Sequence, residues 1–81
     1  MFPMPKYFFN TVDGRRHPDE DGTDLPDLES VRRKATRVIA ELLKERPSEL
    51  WDTGHLRVEV ADEAGAIVMK VEVSLNGGPA A

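Results

Sequence analysis

Cysteine is absent from this 81-residue chain. No disulfide and no thiolate metal site can therefore help to hold it, and a reducing compartment suits it. Aromatic side chains are few, with three Phe, one Tyr and one Trp. The core must rest mainly on aliphatic residues. No apolar run approaches the roughly 20 residues that a membrane-spanning helix needs. Met1-Phe2-Pro3-Met4-Pro5 lacks the basic start and the apolar stretch of a secretory signal. A soluble, cytoplasmic protein is the expectation. A Ser-His-Asp signature and a glycine-rich phosphate loop are also missing, so no enzyme activity is expected.

A chain of this length holds one domain. It would span residues 4–75, with flexible termini at 1–3 and 76–81. Such a domain buries only about 60% of the surface its unfolded chain exposes. Small domains without covalent staples often gain stability by associating.

The net charge of −4 is unevenly spread. Residues 1–30 carry three basic and seven acidic side chains, residues 31–50 six and three, and residues 51–81 two and five. The basic excess sits in the middle segment. Overall acidity argues against a dedicated nucleic-acid binder, because neutralising phosphate supplies most of that affinity.

Lys6 to Val12 reads as a strand, since five of its seven residues are aromatic or β-branched. Asp13-Gly14 predicts a two-residue hairpin turn, and Pro18 stops the short return strand. Asp19 to Asp24 is loop. A helix over about Leu25 to Arg46 follows, with Asp24 as N-cap and Pro26 in its first turn. Leu28, Val31, Ala35, Val38, Ile39, Leu42 and Leu43 form its apolar stripe. Pro47 ends it. Ser48 to Trp51 reads as a linker closed by Gly54, with Trp51 capping the open end of the core.

Leu56 to Val60 and Ile67 to Val73 alternate with strand period. Two registers are open. A four-residue loop pairs Val58 with Met69. A two-residue Ala64-Gly65 loop pairs Glu59 with Lys70 and Arg57 with Glu72. Turn geometry favours the first.

These elements predict an α+β fold. It is a four-stranded antiparallel sheet, ordered hairpin–helix–hairpin, with one helix packed on one face. Tyr7, Phe9, Leu56, Val58, Val60, Ile67, Met69 and Val71 should meet the helix. Strand order is not legible.

Several segments together resemble a known family. They are Met4-Pro5-Lys6-Tyr7-Phe8-Phe9, Asp13-Gly14, Asp19-x-x-Gly22-x-x-Leu25-Pro26-Asp27-Leu28-Glu29 and Asp62-Glu63-x-Gly65. This pattern, over residues 4–73, resembles a family of short bacterial proteins classed as a domain of unknown function. The resemblance implies no activity, cofactor or catalytic residue. Members usually begin at the position of Met4, so Met1-Phe2-Pro3 is an upstream extension or a start-site choice. Thr11 departs from the pattern, where an aliphatic residue is more typical.

Candidate chemistry is thin. The acids Asp19, Glu20, Asp21, Asp24 and Asp27 suggest a calcium loop. Counted from Asp19, glycine falls at the fourth position, not the sixth, and the twelfth is Ser30 rather than glutamate. The acids read as a solvated loop and helix caps. His17 and His55 show no metal-ligand spacing. No metal, cofactor or catalytic residue is assigned.

Arg32, Arg33, Lys34 and Arg37 form a basic helix face, ordinarily solvated. The leading expectation is a non-catalytic interaction or regulatory module that forms a homo-oligomer, with an unidentified protein partner and no membrane. The alternative is a nucleic-acid accessory that uses the basic helix face. Self-association is expected through the uncovered sheet face, where Phe8, Val12 and Val68 would form the interface. Edge pairing of the strand Ile67 to Val73 is the second route.

Overall fold

The computed structural model describes residues 4–77. Five strands and two helices follow one another in the described chain: β1 (Lys6–Val12), β2 (Arg16–His17), β3 (Thr23–Asp24), α1 (Leu28–Glu45), α2 (Pro47–Thr53), β4 (His55–Ala61) and β5 (Ile67–Ser74). The sheet is antiparallel, in the order β2-β1-β4-β5, and β3 also pairs with β1. The fold is α+β, as the alternating periods predict. Residues 1–3 and 78–81, expected to be flexible, lie outside the described residues.

The expected four-stranded sheet needs correction at one edge. The outer side of β1 is lined by two pieces, not one strand. Thr11 faces His17 and Val12 faces Arg16, while Lys6 faces Asp24 and Tyr7 faces Thr23. Pro18 lacks an N–H and breaks the strand between them. The β1–β2 turn also differs. It holds Asp13, Gly14 and Arg15, closed by the Asp13 N–H to the Arg15 carbonyl at 3.0 Å. Only Gly14 takes a positive φ there, so the turn is not the two-residue type I′ form.

Asp27, not Asp24, caps α1. Its carboxylate accepts the Ser30 N–H at 2.8 Å from an extended backbone. Asp24 is committed to β3, and the Leu25 N–H continues that pairing to the Pro5 carbonyl at 3.0 Å. Pro26 therefore precedes the helix.

Pro47 ends α1 as predicted but also begins α2, where a missing N–H at the first helical position costs nothing. The expected linker is thus a short helix, closed by Gly54 at φ +86°. Its rotation puts Leu50 at 2% exposure into the core and leaves Trp51 at 54%. Leu50, not Trp51, closes the end of the core.

Val31, Ala35 and Ile39, at helical spacing, are the buried face of α1. They meet Tyr7, Phe9, Leu50, Leu56, Val58 and Val60. Val38, Leu42, Leu43, Met69 and Val71 pack around them half-buried. Leu28 opens the helix and stays exposed, and so does Ile67.

The last hairpin takes the register that turn geometry disfavoured. Val58 faces Val71, Glu59 faces Lys70 and Arg57 faces Glu72. The connecting loop is nevertheless long, because a bulge opens between Val60 and Ala61. Met69 faces Val60 and Ile67 faces Ala61, which leaves Val68 unopposed. One extra residue on β5 reconciles the charge-paired register with a loop around Gly65. Asp62 holds that loop, its carboxylate accepting the Ala64 and Ala66 N–H groups, both at 2.9 Å. The bulge also turns Ile67 out of the core.

Candidate functional site

The two edges of the sheet are unlike. Along β1, hydrogen bonds outward come from alternate residues. Tyr7 pairs with Thr23 of β3 and Thr11 with His17 of β2, which leaves Phe9 in the gap between them. Asp19 fills that gap. Its Oδ2 accepts the Phe9 N–H at 3.1 Å, and its own N–H donates to Asn10 Oδ1 at 2.9 Å. Asp19 Oδ1 also accepts the N–H groups of Gly22 and Asp21, at 3.1 and 3.3 Å. The first acid of the loop is thus a clasp that seals an edge. Asn10 is buried by it.

The opposite edge is β5. Among the described residues no strand lies beyond it. The Leu75 N–H donates to the Gly54 carbonyl at 2.9 Å. Hydrogen-bonded pairs alternate from there as Leu56–Val73, Val58–Val71 and Val60–Met69. The N–H and C=O groups of Lys70, Glu72 and Ser74 therefore point away from β4. An eight-residue strand with outward-facing backbone is the natural template for another strand.

The open face of the sheet is mostly polar. Arg57 and Glu59 of β4 lie beside Glu72 and Lys70 of β5, and Arg16 reaches Glu59 at 3.3 Å. Phe8 and Val12 are half-buried, and Val68 is 40% exposed. Phe8 faces Ala61 and Val12 faces Arg57, with Asn10 and Glu59 between them. The three residues expected to form an interface are not one continuous patch. Gly22 lies against the Phe8 ring, which covers part of it.

A hollow of about 320 Å³ lies where the β1–β2 turn meets the α1–α2 junction. Asp13 organises it. Its Oδ1 is 3.0 Å from His17 Nε2, and its Oδ2 is 3.7 Å from Arg46. Partial desolvation works to raise its pKa. The hydrogen bonds from His17 and the Arg15 N–H, with the charges of His17 and Arg46, outweigh it and hold the carboxyl below its ordinary value. Thr53, also lining the hollow, donates its hydroxyl to the Glu49 carbonyl at 3.0 Å. The group reads as a tie between turn and helix end.

The remaining candidates are dispersed. His55 sits at the far end of β4 from the acidic loop. No cluster of three or more metal-ligating side chains occurs among the described residues. On the basic helix face, Arg33 is paired with Glu29 at 2.9 Å, and Lys34 lies 5.3 Å from the centre of the Phe9 ring. Among the described residues, no helix is long and apolar enough to cross a membrane.

Sequence reasoning missed the role of Asp19, and it ranked pairing at the edge of the last strand second to the open face. The Asp19-x-x-Gly22 spacing was the available signal for Asp19.

Among the described residues, one sealed edge, one open edge and helices over one face define a small α+β domain. The chain belongs to the family described as Domain of unknown function (DUF6894), whose model matches residues 6–74, from the start of β1 to the end of β5. Comparisons with curated proteins and with solved structures gave no match.

Proposed function

We propose that this chain is a non-catalytic interaction module that associates with itself through the free edge of β5. The contrast between the edges carries this reading. The β1 edge is closed by two short strands and the Asp19 clasp. The β5 edge leaves a row of backbone donors and acceptors toward solvent. The open face offers less to bury, because Asn10 and Glu59 interrupt its apolar residues. The hollow around Asp13 supports a structural tie rather than a reaction, so no catalysis is assigned to it.

A nucleic-acid role has less behind it. Arg33 is engaged by Glu29 and Lys34 by Phe9, which leaves Arg32 and Arg37 as the exposed remainder of the basic face. A salt-dependent gel shift tests that alternative.

Sedimentation of the full chain at micromolar concentration tests the main reading. A species of twice the chain mass is expected. A monomer across the concentration range overturns it.

A further inference from the structure

The charges on β5 select one way for two copies to meet. We infer that β5 pairs antiparallel with β5 of a second copy, with Val71 on the two-fold axis, and that Lys70 then faces the partner subunit's Glu72. This rests on the self-association proposed above and specifies its register.

Lys70, Glu72 and Ser74 are the residues whose backbone groups face outward, so they must supply the hydrogen bonds of any such pair. A two-fold axis perpendicular to the sheet keeps every side chain on its own face. Even-numbered residues therefore oppose even-numbered ones. Centring the axis on Lys70 sets that lysine against its own copy. Centring it on Glu72 does the same to two carboxylates. Like charges directly opposite are destabilising. Centring on Val71 sets Lys70 against the partner's Glu72, and symmetry repeats the pair.

The match extends across the sheet. Within one protomer Arg57 faces Glu72 and Glu59 faces Lys70. In the joined sheet one row reads Arg57, Glu72, the partner's Lys70, the partner's Glu59. The signs alternate along it, and the neighbouring row has the reverse order. On the helix face, Met69 faces the partner's Val73 and Val71 faces its own copy. These three side chains are half-buried in one protomer, packed against the rim of its core. Pairing covers them.

Complementary charge variants test the register. Lys70→Glu gives a strand with two acids, and Glu72→Lys one with two bases. Each alone should bind itself about tenfold or more weakly, because symmetry counts each repulsion twice. An equimolar mixture of the two should restore the wild-type dimer. A crosslink keeps the test independent of any loss of folding in these variants. The chain has no cysteine, so Val71→Cys supplies a single thiol. Its Cα would lie about 4.5 Å from its copy, at a non-hydrogen-bonded position within disulfide range. Mild oxidation should give covalent dimers with Val71→Cys and few with Val68→Cys or Ser74→Cys. A wild-type dimer whose charge variants still self-associate, or whose crosslinking peaks elsewhere, overturns the register alone. A monomeric wild type overturns both it and the proposed function.

Discussion

Asn10 holds Asp19 at the sealed edge of the sheet. The Asn10 side-chain oxygen accepts the Asp19 N–H at 2.9 Å, and the Asp19 carboxylate turns back to accept the N–H of Phe9 at 3.1 Å. Neither side chain needs a metal or ligand to explain its place. Pro18 interrupts the edge strand, and the carboxylate replaces the backbone carbonyl that the interrupted strand would have supplied.

Asp19→Ala should therefore destabilise the domain by about 1–3 kcal/mol, since a partly buried N–H loses its acceptor. Urea unfolding measures this. The variant should also aggregate more readily, because β1 regains an unpaired edge. A change below about 0.5 kcal/mol, typical of plain surface substitutions, would show that the clasp is dispensable.

The α1–α2 junction gives a paired test. Leu50→Ala removes a nearly fully buried side chain and should cost about 2–5 kcal/mol. Trp51→Ala should cost less than about 0.5 kcal/mol. Trp51 is the only tryptophan and is 54% exposed, so its emission should already be red-shifted in the native protein. A large blue shift on folding would put Trp51, not Leu50, in the core.

Asp13 predicts an acid-sensitive tie. Its folded pKa is depressed below the ordinary value of 3.8. A depressed carboxyl adds stability that is present above its unfolded pKa and lost as pH falls through the folded value. The loss therefore begins below about pH 4 and grows on further acidification. Asp13→Asn should flatten this part of the stability–pH curve and leave its neutral part shifted downward. Urea midpoints measured through the acid range decide it. Parallel curves for the two proteins would remove Asp13 from the acid response.

The helix stripe and the strand alternation were legible because Val31, Ala35, Ile39, Leu56, Val58 and Val60 repeat with the period of their own element. Pro47 was ambiguous in sequence. The same missing N–H that stops α1 suits the first position of α2, and only packing of Leu50 shows which helix follows. The last hairpin misled for a related reason. Loop geometry and charge pairing favoured different registers; the charge-paired one is taken, and a bulge at Val68 leaves room for a loop around Gly65. Alternation alone places Ile67 in the core, and that same bulge puts it outside. Of the candidate site, Phe8 and Val12 share a face with Asn10 between them, which strand period alone makes legible, whereas the place of Glu59 beside Asn10 depends on strand order and that of Val68 on the bulge. Of the clasp, only the Asp19-x-x-Gly22 spacing left a mark in the sequence. The rest of it links residues nine and ten positions apart through backbone donors, which leave no side-chain pattern.

Gly22 separates two reasons for needing glycine. Its φ is +73°, and a Cβ there would lie 2.8 Å from Lys6 Cγ and 2.9 Å from Phe8 Cε1. Gly65 has φ +86° with nothing within 4 Å of the same atom. Gly65→Ala should therefore cost only the left-handed penalty, about 1–2 kcal/mol. Gly22→Ala carries that penalty and must also displace the Phe8 ring or the Lys6 stem. Lys6 can swing away, but Phe8 is half-buried and has less room. Gly22→Ala should lose more stability than Gly65→Ala when both are unfolded in urea. Phe8→Ala removes the nearer rigid obstacle, so in that background the gap between the two glycine variants should narrow. An equal loss for both glycine variants in the wild-type background would mean that the acidic loop does not press against β1 at Gly22, and the closed edge would rest on β2, β3 and Asp19 without that contact.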